Sequence, residues 1–418
     1  MDQARRAGVD LLDGVLGEGR LMSELLAGPA LRRLAPEDRA AAQRLATETL
    51  RHLDRADRLL QPHLRKAPPL RVRNILRQGA VELALGGAAH GVVSSAADIA
   101  DGHKRTRAMK GLVNAVLRKV AGAAPEAWND LPVSRLPDWL RGPLLEAWGR
   151  EAVRGFEAAH AAGAPLDLTL KEPAKAASLA EALGAEPLPT GSLRLSARGQ
   201  VSALPGFEAG DWWVQDAAAA LPARLLGDLT GQTVLDMCAA PGGKTLQLAA
   251  AGAKVTALDL SEARLARVSE NLARVGLSAE VVTGDALTHE GSYDAVLLDA
   301  PCSATGTIRR HPDLPYAKDG AGISELIALQ AAMIDRALTL LKPGGRLMFC
   351  TCSLIPDEGE VQVEEALERH PGLTVAPLEA AWIAEDWRSP EGGLRLRPDL
   401  WPEWGGMDGF YMALLTKP

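Results

Sequence analysis

Aromatic side chains are scarce in this chain: nine Trp, four Phe and three Tyr among 418 residues. A surface on which successive bases stack is built from exposed aromatics, so no such platform is expected. Trp212 and Trp213 are expected in the core, at a domain junction. Cysteine is scarce too, with four in all. None stands at the close spacing, with histidines nearby, that marks a zinc site, and four make no disulfide framework. No apolar run approaches the roughly 18 residues of a membrane span. The opening stretch MDQARRAGVDLLDGVL carries charges inside its apolar pattern, which reads as an amphipathic helix and not as a signal peptide. These absences lead to the expectation of a soluble, cytoplasmic protein with free thiols, no metal and no membrane contact.

What is present is an uneven charge. The net charge is −7, yet residues 1–120 hold 21 Lys+Arg against 13 Asp+Glu, and the remainder holds 25 against 40. A basic module joined to an acidic one fits a polyanion-binding part attached to a catalytic part. A merely solvated arginine-rich helical surface fits the same counts. The basic residues gather at Arg65, Lys66, Arg71, Arg73 and Arg77, and again at Lys104, Arg105, Arg107, Lys110, Arg118 and Lys119.

The hydrophobic period changes along the chain. Leu45, Leu50, Leu53, Leu59 and Leu60 recur near 3.6 residues, and the pattern returns over Val72–Leu85 and Ala108–Val120. An all-α domain is expected over residues 1–122. Prolines and glycines thicken from Ala121 to Trp139 and mark a boundary. Residues 123–210 read as a small α+β linker, with strands at Leu166–Leu170 and Leu193–Ser196 around a helix at Ala176–Gly184. From residue 211 to 418 strands alternate with helices: Thr233–Met237, Lys254–Asp259, Glu280–Thr283, Tyr293–Asp299, Arg346–Thr351 and a last strand in Gly409–Lys417. Ser261 is the expected N-cap of a helix to Val275. Alternation of this kind predicts an α/β, Rossmann-like fold with a parallel sheet, which binds ligands beyond the carboxyl ends of its strands.

The candidate site residues lie at those ends. VLDMCAAPGGKT (Val234–Thr245) is a strand opening into a glycine-rich loop. A phosphate-binding P-loop would need glycine where Cys238 stands. The other use of such a turn is to hold an adenosine-bearing cofactor by its backbone. Asp236, Asp259, Asp285 and Asp299 fall one per strand end. A carboxylate at Asp259 can accept two ribose hydroxyls, and one at Asp285 an adenine amino group; S-adenosylmethionine enzymes show this spacing. Cys302 follows Pro301 in LLDAPCSATGTIRRHPD (Leu297–Asp313), and Cys352 follows Thr351 in TCSLIPDEGE. A thiolate is the nucleophile that activates carbon 5 of cytosine, by adding to carbon 6. A carboxyl group near N3 steadies the charge that develops there, and Asp299, three residues before Cys302, is placed for it. Residue types do not rank the two thiols. Cys350 is expected to be a buried core residue, and Cys238 to pack against the cofactor.

These motifs closely resemble the Sun/Fmu (RsmB-like) family of RNA 5-methylcytosine methyltransferases. Trp213–Leu226 and Gly405–Leu415 match its flanking motifs, and the helices resemble a NusB-type RNA-binding domain. The resemblance implies S-adenosylmethionine as cofactor, lined by Cys238, Ala239, Ala240, Pro241, Gly242, Gly243, Lys244, Asp259, Asp285 and Asp299. It also implies Cys352 as the nucleophile, Cys302 as an aid to product release, and a monomer whose RNA partner is small-subunit rRNA; tRNA is the alternative substrate. The chain departs from the family in carrying Gly359 where Asn is usual, and Leu168-Thr169-Leu170-Lys171 where Leu-Arg-Val-Asn is frequent.

Overall fold

The computed structural model describes residues 1–196 and 199–417. They form two compact units, residues 1–163 with 308–320, and residues 164–307 with the chain from 321 onward.

The first unit is helical. Its main helices are Asp2–Glu18, Pro36–Arg51, Leu53–Leu60, Leu70–Ala84, Ala89–Asp101, Lys110–Asp130 and Asp138–Ala162. Pro36 sits in the first turn of its helix, followed by Glu37 and Asp38, where the missing N–H costs nothing and negative charge meets the helix dipole. Gly19 ends the first helix at φ 66°, a conformation that favours glycine. Leu12, Leu50, Leu76 and Leu117 are fully buried between the helices, each contributing roughly 1.5–3 kcal/mol. The boundary expected near residue 122 falls inside the helix Lys110–Asp130. Its alanines, among them Ala121, Ala123 and Ala127, favour helix strongly enough to carry the chain through.

Residues 308–313 end the Cys302 motif, but together with residues 314–320 they complete this helical unit. Asp313 Oδ2 accepts from the backbone N–H of Met22 at 2.8 Å. Arg51 Nη1 donates to the carbonyls of His160 at 2.7 Å and Arg309 at 2.8 Å. Trp139 Nε1 donates to the Pro315 carbonyl at 2.9 Å, and Tyr316 and Ala317 pack on the cluster around Leu11, Leu12 and Val15.

The second unit holds two sheets. The strands are β1 (Leu166–Leu170), β2 (Glu186–Pro187), β3 (Leu193–Leu195), β4 (Trp212–Val214), β5 (Thr233–Met237), β6 (Lys254–Asp259), β7 (Glu280–Thr283), β8 (Tyr293–Asp299), β9 (Leu341–Thr351), β10 (Thr374–Ala376), β11 (Leu394–Leu396) and β12 (Phe410–Thr416). The small sheet has the order β2-β3-β1-β4. A buried ion pair staples it: Arg194 donates to both oxygens of Asp167 at 2.6 Å, and to the carbonyls of Trp404 and Gly406. Trp212 and Trp213 are buried, as expected.

The large sheet runs β10-β12-β9-β8-β5-β6-β7, with β11 on β12. Strands β5 to β9 pair in parallel. Four consecutive residues of β8, Ala295–Leu298, are fully buried, as in a strand covered on both faces. The sheet is not wholly parallel, because β12 pairs with β9 antiparallel. The reason is local. The Gly409 N–H donates to the Gly306 carbonyl at 2.8 Å, and the Gly306 N–H to the Cys352 carbonyl at 2.9 Å. The last strand therefore begins where β9 ends and must run back along it.

Candidate active site

The carboxyl ends of β5, β6, β8 and β9 converge on one edge of the sheet, and each delivers an expected residue. After β5 the chain turns sharply: Cys238 adopts φ 69° and Gly242 φ 104°. At Gly242 a side chain would meet Val268 at 3.2 Å, and at Gly243 one would meet Gln215 at 3.3 Å, so glycine lets the loop lie close to its neighbours. The helix Gly243–Ala250 starts here, its first N–H groups facing out of the end of the helix.

The four aspartates do not share one role. Asp259, 4% exposed, is set by two backbone donors, Ala240 at 3.1 Å and Ser261 at 3.0 Å. Asp285 is exposed, and its Oδ1 accepts from the Leu287 N–H at 2.9 Å. Asp299 is half-buried and takes an ion pair from Lys244 Nζ at 2.7 Å. Asp236 differs: it is buried beneath the loop, and its Oδ2 accepts from Thr245 Oγ1 at 2.5 Å. Burial pushes Asp236 up to about 7. Asp236 lies one residue short of the end of its strand, whereas Asp259 and Asp299 are the last residues of theirs and Asp285 follows the end of β7. Lys244 is itself buried; burial alone would lower it, but the charge of Asp299 more than offsets this and holds it above the ordinary lysine value.

The two cysteines meet. Cys302 Sγ and Cys352 Sγ are 3.5 Å apart. The hydrogen bond with Cys352, then burial, pushes the Cys302 thiol well above its ordinary value, and the charge of Glu358 adds to this. Cys350 is fully buried in the core, as expected, 3.7 Å from Asp299 Oδ1, and burial pushes it well up too. Burial, then the charges of Asp299 and Asp259, pushes Cys238 up to about 12. Neither Cys238 nor Cys350 has the lowered pKa that makes a reactive thiolate.

Sequence reasoning missed the group behind the thiols. Glu358 is fully buried. Its carboxylate accepts from the Ser303 N–H at 2.8 Å, Ser303 Oγ at 2.5 Å, Ser353 Oγ at 2.6 Å and Gln330 Nε2 at 3.1 Å. Ser303 and Ser353 each directly follow one of the paired cysteines. In the sequence Glu358 is one acid in the run PDEGE, and nothing local separates it from the solvated Asp357.

The helical unit sorts the two basic clusters. Arg71 is bound to Asp10 and Asp13, and Arg77 to Asp57, so these two serve the fold. Lys104, Arg105, Arg107, Lys110, Arg118 and Lys119 are all exposed. Lys110 and Arg118 border a groove of about 600 Å³ with His90 and Asn114. Among the described residues no helix is long and apolar enough to cross a membrane, and no group of three or more His, Cys, Asp or Glu could hold a metal ion.

Comparison with known proteins identifies the family. Residues 223–416 match the family described as 16S rRNA methyltransferase RsmB/F, and residues 2–122 match the NusB family. The chain is 38% identical over 354 residues to ribosomal RNA small subunit methyltransferase B of Erwinia tasmaniensis, covering 79% of this chain and 78% of that protein. It is 34% identical to the protein of that name from Vibrio vulnificus, covering 99% of each. The solved structure of PH0851 has the same fold, with a TM-score of 0.76 over 100% of this chain and 99% of that one at 23% identity. The chain is therefore a methyltransferase of the RsmB/F family, carrying a helical NusB-family module at its N-terminus.

Proposed function

We propose that this enzyme methylates carbon 5 of a cytosine in small-subunit ribosomal RNA, through a covalent bond between Cys352 and carbon 6. The observation that carries the reading is the thiol pair, 3.5 Å apart, at the sheet edge that holds the Lys244–Asp299 ion pair. Either sulfur can donate across that contact, and the assignment of the attack to Cys352 follows the resemblance to the RsmB/F family. The Cys352 thiolate adds to carbon 6, and the displaced electron pair moves toward N3. Asp299 is assigned to that edge, with the Lys244 ammonium bonded to it. Carbon 5 then takes the methyl group. Loss of the carbon 5 proton and of the sulfur–carbon bond restores the ring. Cys302, released from its hydrogen bond once Cys352 is consumed, is assigned to that step.

S-adenosylmethionine fits the residues present. Asp259 is fixed by two backbone donors and keeps lone pairs for ribose hydroxyls, while Asp285 is exposed beside it on the next strand end. The loop Cys238-Ala239-Ala240-Pro241-Gly242-Gly243-Lys244 lies between them and the thiols. When bound, the cofactor supplies the methyl group as a carbon electrophile. The exposed cluster from Lys104 to Lys119 is assigned to the RNA backbone, and the target base must leave its stack to reach the thiols.

The test uses two variants. Cys302→Ala should accumulate an SDS-resistant protein–RNA band, because attack remains and release fails. Cys352→Ser should abolish both the band and 5-methylcytosine. The opposite pattern would exchange the two roles, and no band with any cytosine-bearing rRNA fragment would sink the covalent route.

A further inference from the structure

One buried ionisable group is left over from that reading. Glu358 is 0% exposed, in a position where an unpaired charge would cost several kcal/mol. It is far from unpaired. A carboxylate has about four lone-pair sites and no donor, and four donors fill them: the Ser303 N–H and hydroxyl, the Ser353 hydroxyl and the Gln330 amide. The surrounding hydroxyls close consistently. Thr305 Oγ1 lies 3.2 Å from both serine oxygens and accepts from the Leu354 N–H, while Ser353 Oγ accepts from the Ile355 N–H. Gln330 Nε2 also donates to the carbonyl of Pro301, the residue before Cys302, at 2.8 Å. The backbone carbonyl of Glu358 accepts from Thr351, the residue before Cys352, at 2.8 Å. Arg395 reaches the Ser353 carbonyl and pairs with Glu360 on the far side. Each cysteine is thus held on both flanks by groups tied to one residue, three of them through its carboxylate and Thr351 through its backbone carbonyl.

We propose that Glu358 is the positioning residue of the thiol pair: by accepting from the residue after each cysteine, its carboxylate sets the separation of Cys302 and Cys352. This rests on the reading that both thiols act on the substrate. Two loops from different strands have no covalent reason to keep their sulfurs 3.5 Å apart, and the shared acceptor supplies one. A carboxylate accepts from all four groups as they stand, whereas the amide of glutamine would present N–H groups to the two serine hydroxyls, which would then have to accept and turn their own protons elsewhere. The titratable groups near it are Cys302, Cys352, Glu360 and Arg395.

Glu358→Gln keeps the shape and removes the charge. Its kcat should fall about 100-fold, the scale of a reacting group displaced by about 1 Å, while S-adenosylmethionine affinity stays as in the parent. Alkylation by iodoacetamide, followed by mass spectrometry across pH without RNA, should place the Cys302 midpoint lower in the variant, because a neighbouring negative charge is gone. Ser353→Ala keeps the charge and removes one donor, so it should lose kcat without moving that midpoint. An unchanged kcat in either folded variant, or a Cys302 midpoint unmoved in Glu358→Gln, overturns the proposal. Should Glu358→Gln fail to fold, Ser353→Ala decides by kcat. If the parent forms no 5-methylcytosine and the midpoint still moves, the cytosine reading fails while the hold of Glu358 on the thiols stands.

Discussion

Asp236 offers a stability prediction with a definite sign. It is 1% exposed at the end of β5, accepts one hydrogen bond from Thr245 Oγ1 and has no partner for Oδ1. Burial, with a smaller push from Asp299 and Asp259, raises its pKa from 3.8 to about 7. An acid whose folded pKa is raised binds more protons folded than unfolded between those two values. Stability therefore falls as pH rises through that window, and is flat above it. A shift of about 3 units at roughly 1.4 kcal/mol per unit makes the loss on the order of 4 kcal/mol between pH 4 and pH 8. Asp236→Asn keeps an oxygen for Thr245 and removes the ionisation. The variant should exceed the parent in stability at pH 8, with a gap that is smaller by roughly 3 kcal/mol at pH 4.5 and opens across the window. Urea unfolding at several pH values reads this, followed by the fluorescence of the buried Trp212, Trp213 and Trp387. A gap between parent and variant that is the same at pH 4.5 and pH 8 would refute the reasoning.

Other predictions follow from single contacts. Gly306→Ala places a methyl group 2.0 Å from the Gly409 carbonyl oxygen; backbone stands on both sides, so a loss of at least roughly 1–3 kcal/mol is expected in thermal unfolding. Arg51→Met strips a donor from the carbonyls of His160 and Arg309 and should expose residues 308–320 to limited proteolysis; unchanged cleavage there would argue against the clasp. Arg118→Ala with Lys119→Ala, both exposed, should weaken rRNA binding and reduce the slope of log affinity against log salt by about 1.4. An unchanged slope would move the RNA elsewhere on the molecule.

The alternating strands were legible because a parallel strand covered by helices carries an apolar run that ends abruptly, as Ala295–Leu298 does before Asp299. The glycine loop and both cysteines were legible for the same reason: each stands at such an end. The direction of β12 was not, since its run of six apolar residues, Phe410 to Leu415, looks alike in either orientation. Nor was the destination of residues 308–320, which continue the Cys302 motif without a break in composition and yet close the helical unit.

Chain chemistry alone therefore determined the layer type, the loop that can hold a nucleotide-like cofactor and the presence of two thiols, because each depends on neighbours in sequence. Tertiary structure decided the rest. It distinguished Asp236 from the other three aspartates by burying it one residue short of its strand end with one oxygen unpartnered, and took Arg71 and Arg77 out of the basic surface by pairing them. It placed two sulfurs fifty residues apart within 3.5 Å, over a carboxylate that no local pattern distinguishes. Burial and long-range hydrogen bonding are properties of the folded chain, and a residue's role in this site depends on both.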